Sequence, residues 1–215
     1  MPQLLIHRGI VNKKFKENLL KSFKQSFKKG YGIETDIHVT RDNKFICFHD
    51  FTLNRIFKKK DSVKNLKYSK IKEISNINKK PIPLLQEVLR ISKNKYPLFI
   101  EIKPKLSKKL LKKLLKETIK FSNCVFISFN HQNIYNLLKI RKNVKVGLSF
   151  STSTSIKNIV KKSNDKKINL LILDKFFLNN KSIQNLKIKK YYYTIKTKKE
   201  LDKYKKKNNL IFENL

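Results

Sequence analysis

Leu4-Leu5-Ile6-His7-Arg8-Gly9 is an apolar run that ends in ionisable side chains, and the chain repeats this design. It recurs as Gly32-Ile33-Glu34-Thr35-Asp36-Ile37, as Phe45-Ile46-Cys47-Phe48-His49-Asp50 and as Leu98-Phe99-Ile100-Glu101-Ile102-Lys103-Pro104. A short apolar run is typical of a buried strand, and the ionisable residues mark the end that meets solvent. Four such strands that converge on one point would form an active site.

Beyond the fourth run, apolar strands alternate with amphipathic helices, which indicates parallel β/α units. Nine strand-like runs are close to the eight strands of a closed barrel. We therefore expect an α/β fold, a compact (β/α)8 TIM barrel that spans residues 1–215 as a single domain, with one accessory or hairpin strand. The later strands are predicted at 124–129, 145–149, 170–174, 191–195 and 210–212. The predicted helices cover 18–29, 68–74, 84–92, 107–121, 131–140, 155–162, 181–186 and 198–207.

Residues 51–80, which follow the third run, are polar and lysine-rich. We expect a long connection over the rim of the site, a reduced insertion, because the apolar residues are too sparse for a core of their own.

The chain is strongly basic, with 52 Lys and Arg against 15 Asp and Glu in 215 residues and a net charge of +37. Such a charge alone suggests a nucleic-acid or anionic-membrane partner. The lysines, however, are spread from end to end, without the clustered arginines and aromatic residues of RNA-binding or zinc-finger patterns. We expect no dedicated nucleic-acid partner, an inward pull on anionic substrates, and a weak attraction to anionic membrane surfaces.

The remaining composition favours a soluble, cytoplasmic protein. Cys47 and Cys124 lie inside apolar runs, where a thiol usually acts as a small core side chain. The amino terminus enters a strand directly, without the pattern of a secretory signal, and no apolar stretch is long enough to span a bilayer.

Three carboxylates stand near strand ends in a chain that has few acids. Glu34 and Asp36 are two residues apart, so both project from the same face of a strand, and Glu101 lies on another strand. Oxygen ligands of this kind suit a hard divalent cation such as Mg2+ or Ca2+. The alternative is that Glu34 and Glu101 pair with lysines and are structural.

Two histidines and two cations accompany these acids. His7 and His49 end predicted strands, and one imidazole could take a proton from the attacking oxygen while the other delivers one to the leaving oxygen. His38 is placed to support the site from behind. Arg8 and Lys103 could neutralise a phosphodiester and the charge that develops in its transition state.

Together these motifs resemble the glycerophosphodiester phosphodiesterase family. His7-Arg8-Gly9 is similar to the family's His-Arg-Gly, and Lys16-Glu17-Asn18 to its Pro-Glu-Asn without the proline. Residues 30–37 are similar to Gly-x-x-x-Glu-x-Asp-Val, and 46–55 to Val-x-x-His-Asp-x-x-Leu-x-Arg. Further matches lie at 81–89 and 99–103.

The resemblance implies a (β/α)8 barrel that hydrolyses glycerophosphodiesters to an alcohol and sn-glycerol 3-phosphate with a divalent cation, in glycerophospholipid breakdown. Carried over residue by residue, it implies one set of roles. The acid/base pair would be His7 and His49, the metal ligands Glu34, Asp36 and Glu101, and the phosphate contacts Arg8 and Lys103. Attack by a substrate hydroxyl through a cyclic phosphate and direct attack by water are both open.

The sequence departs from the family pattern in its second half. The family's Trp-Thr-Val appears as Tyr193-Thr194-Ile195, so Tyr193 would offer the aromatic wall for the glycerol moiety, and the closing Thr-Asp is absent from 210–214. Two alternatives therefore stay open. One is a phospholipase-C-like or D-like phosphodiesterase acting on lipid head groups, and the other is an inactive barrel that binds phosphate. The head group and the oligomeric state are not decided by the sequence.

Overall fold

A computed structural model describes residues 3–213, in which nine strands form a single sheet. The strands are β1 (Leu4–His7), β2 (Gly32–Val39), β3 (Phe45–Cys47), β4 (Leu98–Ile102), β5 (Cys124–Ser128), β6 (Val146–Phe150), β7 (Leu170–Asp174), β8 (Lys189–Ile195) and β9 (Asn209–Phe212). The α-helices are α1 (Leu20–Lys28), α2 (Asn54–Phe57), α3 (Tyr68–Ile77), α4 (Leu85–Ser92), α5 (Lys108–Glu117), α6 (His131–Ile140), α7 (Ile156–Ser163), α8 (Lys181–Gln184) and α9 (Lys198–Tyr204).

Eight of these strands close into a parallel barrel. The sheet runs in the order β1-β9-β8-β7-β6-β5-β4-β2-β3, and β1 also pairs in parallel with β2, which closes the ring. The short β3 lies outside the ring, where it is antiparallel to β2 and also bridges to Leu84 through Ile46. The predicted (β/α)8 TIM barrel with one accessory strand is therefore confirmed.

The helices pack an apolar stripe against the outside of the barrel, as the sequence pattern predicts. In α5 the buried residues are Leu111, Leu114 and Leu115, which are spaced by three and one and so share one face. Ser107 caps the helix, because its side chain accepts a hydrogen bond from the backbone N–H of Leu110. Apolar faces on α1, α4 and α6 contribute to the same main core between the helices and the sheet.

Inside the barrel a smaller apolar cluster fills the lumen below the site. Its members alternate along their strands with residues that face the helices, as expected for a closed sheet. They are Leu5, Phe99, Val125, Ile127, Leu170, Ile172, Tyr191 and Ile211. Because these side chains plug the amino-terminal part of the lumen, the inward-facing polar residues are left at the carboxyl end of the strands.

Several element boundaries differ from the prediction. Helix α1 begins at Leu20, two residues late, because Asn18 has a φ of 54°, which a helix does not accept. Strand β2 continues to Val39, whereas β4 ends at Ile102 and places Lys103 just beyond it. His49 does not end a strand, since β3 stops at Cys47 and the histidine lies in the following loop.

Residues 51–80 are more ordered than the predicted polar connection, because they contribute to a core that they share with other parts of the chain. The segment contains α2, a 3-10 helix at Val63–Asn65 and α3, and it buries Leu53, Phe57, Val63, Ile71 and Ile74. These residues join Ile46, Phe48 and Ile82 in a cluster separate from the barrel core. The sparse apolar residues suffice because β3 and the segment before α4 supply the rest of the cluster.

Within residues 3–213, the helices all lack the combination of length and apolar composition that crossing a bilayer requires.

Candidate active site

Strand register brings the predicted site residues together at the carboxyl end of the barrel. His7 on β1 is paired with Glu34 on β2, and Asp36 on β2 is paired with Glu101 on β4. All four alternate with helix-facing residues and so project into the lumen. Parallel pairing of three neighbouring strands thus converts separate sequence motifs into one cluster.

The three carboxylates form a compact buried group that fits a cation. One oxygen from each of Glu34, Asp36 and Glu101 lies within 4.8 Å of the others. Both carboxylate oxygens of Glu34 are buried and have no hydrogen-bond partner. Burying an unpartnered carboxylate costs free energy unless a positive charge compensates it. The arrangement can therefore hold a divalent ion through oxygen ligands.

Electrostatics in the cluster differ from one acid to the next. Burial, together with the negative charges of Asp36 and Glu101, raises the pKa of Glu34 well above its ordinary value. Burial and Asp36 also raise the pKa of Glu101, to about 7, against the opposing charge of Lys103. Burial alone would raise the pKa of Asp36, but Arg8 and Lys103 outweigh it and hold the pKa below its ordinary value. Without a cation, burial and mutual repulsion oppose the ionisation of Glu34 and Glu101, whereas Arg8 and Lys103 favour the ionisation of Asp36.

Arg8 and Lys103 bring positive charge to the two sides of Asp36. Nε of Arg8 lies 3.0 Å from Oδ2 of Asp36, as an ion pair without the alignment of a hydrogen bond. Nζ of Lys103 lies 2.8 Å from Oε1 of Glu101 and 3.6 Å from Oδ1 of Asp36. These acids raise the pKa of Lys103 although burial opposes them, so the lysine stays charged.

A sharp turn after β1 directs Arg8 towards the site. Arg8 and Gly9 have φ values of 56° and 76°, in the left-handed region that glycine accepts and arginine rarely does. The turn is held by two hydrogen bonds, since the N–H of Arg8 donates to the carbonyl of Glu34 and the N–H of Asn18 donates to the carbonyl of Arg8. The His-Arg-Gly motif therefore sets the backbone conformation of this turn as well as supplying side chains to the site.

His7 is held by a carboxylate that the sequence analysis did not identify. Its Nδ1 lies 2.9 Å from Oε2 of Glu213, the residue that follows β9. A carboxylate accepts hydrogen bonds, so Nδ1 carries the hydrogen and Nε2 is left to face Glu34, 3.8 Å from its Oε2. Hydrogen bonding from His7 lowers the pKa of Glu213, which stays ionised.

His49 is oriented in the same manner by its neighbour in the chain. Its Nδ1 lies 2.6 Å from Oδ1 of Asp50, and Nε of Arg55 donates to Oδ2 of Asp50 at 2.6 Å. Arg55 also binds Glu17, which links the insertion to the loop after β1. Burial keeps the pKa of His49 below its ordinary value, so the imidazole is neutral and can accept a proton.

Two further polar residues support this arrangement. Nε2 of His38 lies 3.0 Å from the carbonyl of His49, and burial lowers the pKa of His38 to about 4, so the ring is neutral. The side chain of Asn18 accepts from Thr35 and donates to Oδ2 of Asp36 at 3.3 Å. Sequence analysis placed His38 in a supporting position but gave no role to Asn18.

Tyr193 and Phe129 form the aromatic side of the cleft. Both line the cleft with His7, Glu34 and Glu101, and their rings meet edge to face at 5.9 Å. The Tyr193 hydroxyl donates to the carbonyl of Phe150 at 3.0 Å, which fixes the ring. Tyr193 is thus where the sequence analysis expected an aromatic wall, and Phe129 extends that wall.

A larger cavity of about 620 Å3 lies at the opposite end of the barrel, between the α6–β6 and α7–β7 connections. Its described lining has neither a carboxylate nor an imidazole. It is rich in lysines, which are Lys139, Lys142, Lys145, Lys166 and Lys167. Since it offers no proton donor or acceptor pair and no cation ligand, the chemistry is assigned to the smaller cleft at the carboxyl end.

Comparison with known proteins finds relatives of this chain. The model of the Glycerophosphoryl diester phosphodiesterase family matches residues 7–208. A glycerophosphodiester phosphodiesterase from Caldanaerobacter subterraneus is 30% identical over 162 residues, or 68% of this chain and 66% of its own length. A second one, from Bacillus altitudinis, is 30% identical over 50% of this chain. The chain thus aligns with less than two thirds of the first relative and 46% of the second.

Solved structures show the same fold. The glycerophosphodiester phosphodiesterase of Thermotoga maritima superposes with a TM-score of 0.83 at 22% identity, covering 99% of this chain and 94% of that one. A phosphodiesterase of Oleispira antarctica, solved in complex with its product sn-glycerol-3-phosphate, gives 0.83 at 19% identity and covers 99% and 92%. At these identities the likeness concerns the fold.

Proposed function

Because this chain belongs to the Glycerophosphoryl diester phosphodiesterase family, we propose that it is a phosphoric diester hydrolase that cleaves glycerophosphodiesters. Its products would be an alcohol and sn-glycerol 3-phosphate, the compound that the Oleispira antarctica phosphodiesterase holds. The proposal takes residues 1–215 as one barrel domain, and the cytoplasmic location stays a prediction.

One observation supports the proposal above the others. Three buried carboxylates share the end of the lumen with two imidazoles, each of which has its Nδ1 tied to an acid. A binding-only barrel needs positive charge for phosphate but has no use for three buried acids, one of which, Glu34, has no hydrogen-bond partner. The arrangement therefore favours catalysis over the inactive phosphate-binding alternative.

Glu34, Asp36 and Glu101 would hold a divalent cation, Mg2+ or Ca2+. Bound there, the cation would neutralise charge on the phosphodiester and polarise its phosphorus centre. The acids must lose their protons to serve as ligands, and the raised pKa values of Glu34 and Glu101 make cation binding compete with protonation.

His7 and His49 would carry the protons. With each Nδ1 bonded to a carboxylate, each Nε2 is the atom left to exchange a proton with substrate. We assign one imidazole to deprotonate the attacking oxygen and the other to protonate the leaving oxygen. Asp50 and Glu213 would act through them as positioning residues, since each fixes the tautomer and stabilises the imidazolium.

Arg8 and Lys103 would bind the phosphate. Both already sit beside Asp36 with their charges directed into the cluster. As the phosphorus gains a fifth oxygen, negative charge grows on the equatorial oxygens, and fixed cations stabilise that state more than the ground state. Tyr193 would cover the glycerol moiety.

Identification of the product tests this proposal. Phosphorus NMR of a reaction with glycerophosphocholine should show sn-glycerol 3-phosphate, formed with Mg2+ or Ca2+ and abolished by EDTA. Release of phosphocholine would instead indicate phospholipase-C-like cleavage. A folded protein that releases no product with any of the metals would support the binding-only alternative.

A further inference from the structure

Exposed aromatic side chains gather around the opening of the barrel. We use the term mouth for the connections that follow the carboxyl ends of β5, β6 and β7, which in this fold lie on the side of the site, together with the loop after β3. That loop reaches the same end of the barrel, because Phe51 packs against His38 near the carboxyl end of β2. Among the described residues, the exposed large apolar side chains are Phe51, Ile77, Ile119, Phe129, Ile156 and Phe176. The three phenylalanines of that set all belong to the mouth, and Ile156 begins α7 directly after it.

Each of these rings is held by another ring while part of it stays in solvent. Phe51 packs edge-on against His38 at 4.8 Å, Phe129 against Tyr193 at 5.9 Å, and Phe176 against Phe177 at 5.4 Å. Phe51 and Phe176 are 58% and 71% exposed. Ordered rings that point outward lose less conformational entropy on binding than mobile side chains do.

The clustering needs an explanation, because the chain has 15 phenylalanines and buries most of them. Exposed apolar patches on folded proteins usually mark a binding surface. Phenylalanine rings beside lysines are typical of segments that bury apolar area at the boundary between lipid head groups and acyl chains. The surface is therefore suited to an apolar partner with a polar boundary.

Charge at the mouth selects the kind of partner. Exposed lysines stand in the connections that carry or neighbour these side chains: Lys105, Lys157 and Lys196. The acids Asp50 and Glu200 are already paired, with Arg55 and Lys175 respectively. Lys196 lies 3.7 Å from Oε1 of Glu213, and the chain as a whole carries a net charge of +37. An arc of rings among exposed lysines on so basic a protein is complementary to a bilayer that contains anionic lipid.

We propose that the protein docks on anionic lipid bilayers with the mouth of the barrel towards the membrane. The rings of Phe51, Phe129 and Phe176 would enter the interface, and the lysines would contact the head groups. A nucleic acid also attracts lysines, but single strands stack on aromatics arranged along one groove. Here the rings are distributed over the connections of three strands. The proposal concerns a surface and holds whether or not the site turns over.

The absence of tryptophan from the sequence allows a direct test. Phe176→Trp places a single fluorescent reporter in the mouth, and Ile119→Trp places one at a 61% exposed position beyond the end of α5. With vesicles of phosphatidylcholine and phosphatidylglycerol, the Phe176→Trp emission should shift to shorter wavelength and be quenched by brominated acyl chains. The Ile119→Trp emission should not change.

A matched pair of polar variants measures the contribution of the ring. In vesicle sedimentation, Phe176→Ser should weaken binding to anionic vesicles about tenfold, whereas Ile119→Ser should stay within about twofold of the unaltered protein. Thermal melts of both variants check folding. Binding to pure phosphatidylcholine should be much weaker than to the anionic mixture.

Several results would overturn the proposal. The first is a protein that does not bind anionic vesicles. The second is binding that leaves the Phe176→Trp emission unshifted, and the third is an equal shift for Phe176→Trp and Ile119→Trp. Light scattering that shows dimers which Phe176→Ser dissociates would assign the mouth to a second copy of the chain. Single-stranded RNA that binds more tightly than vesicles and loses affinity in Phe176→Ser would assign it to nucleic acid.

Discussion

Nδ1 of His7 lies 2.9 Å from Oε2 of Glu213, so a hydrogen bond joins the end of the first barrel strand to the residue that follows the last. The two residues are 206 positions apart and meet only because β1 pairs with β9. The contact fixes the orientation of the imidazole and leaves Nε2 towards Glu34. It also makes barrel closure a condition for a correctly placed His7.

Replacing Glu213 tests whether this contact positions His7. Glu213→Ala should lower kcat about tenfold to a hundredfold with little change in KM, because the imidazole loses its orientation while the phosphate contacts remain. Glu213→Asp should recover part of the loss. Steady-state kinetics measure both. The control is Glu73→Gln, which removes an acid from an exposed ion pair with Lys70. Equal effects in Glu213→Ala and Glu73→Gln would remove the positioning role.

Neutral replacements at two ligand positions test the cation site without relying on turnover alone. Glu34→Gln and Asp36→Asn should abolish metal-dependent turnover and the rise in melting temperature that Mg2+ or Ca2+ gives. In EDTA, Glu34→Gln should match the unaltered protein within about 1 kcal/mol, because burial and the neighbouring carboxylates raise the pKa of Glu34 and so favour its neutral form. Differential scanning fluorimetry with and without EDTA provides the readout. Metal-dependent activity that survives in both variants would refute the assignment.

His49→Ala should reduce turnover by about a hundredfold to ten-thousandfold if the imidazole transfers a proton. The matched control is His131→Ala, another half-buried histidine, whose Nε2 lies 3.0 Å from the carbonyl of Ser149 outside the cluster. That variant should lose stability but keep turnover within a few-fold. Rates are compared at a temperature where both are folded. A decrease in turnover of only a few-fold in His49→Ala would indicate that His49 has a structural role and does not transfer a proton.

Cation binding should be linked to pH through Glu101. Its folded-state pKa is raised from 4.5 to about 7, so the fold favours the protonated acid. In EDTA this contribution to stability is present below about 4.5 and is lost as the pH rises through about 7. Mg2+ replaces the proton, so the stabilisation by Mg2+ should grow across the same interval. Melting temperatures with and without Mg2+ measure it, and a shift independent of pH would contradict the linkage.

The barrel and most of the site were predictable from the sequence because their signals are local. Apolar runs of three or four residues that end in His, Arg, Glu or Asp mark strands and their open ends, and parallel pairing gathers those ends. The same signal was present at Glu213, directly after the apolar run of β9. The family pattern has Thr-Asp near this point, so the resemblance assigned no role to the acid that stands there.

Other features depend on contacts between distant residues and have no local pattern. Asn18 reaches Asp36 only because its backbone adopts a left-handed turn before α1. The cluster under residues 51–80 combines apolar side chains that are sparse in that segment with Ile46, Phe48 and Ile82. Composition could not reveal a core whose members are shared between separate parts of the chain.

The most direct test of the account is an enzyme-coupled assay for sn-glycerol 3-phosphate, run on a panel of glycerophosphodiesters with Mg2+, with Ca2+ and with EDTA. We expect release of sn-glycerol 3-phosphate that requires a divalent cation and is lost in Glu34→Gln. The rates on the different diesters would rank the alcohol groups that the enzyme accepts. Release that is unaffected by EDTA would contradict the role of the three carboxylates. No release from any diester under any metal would contradict the proposed reaction.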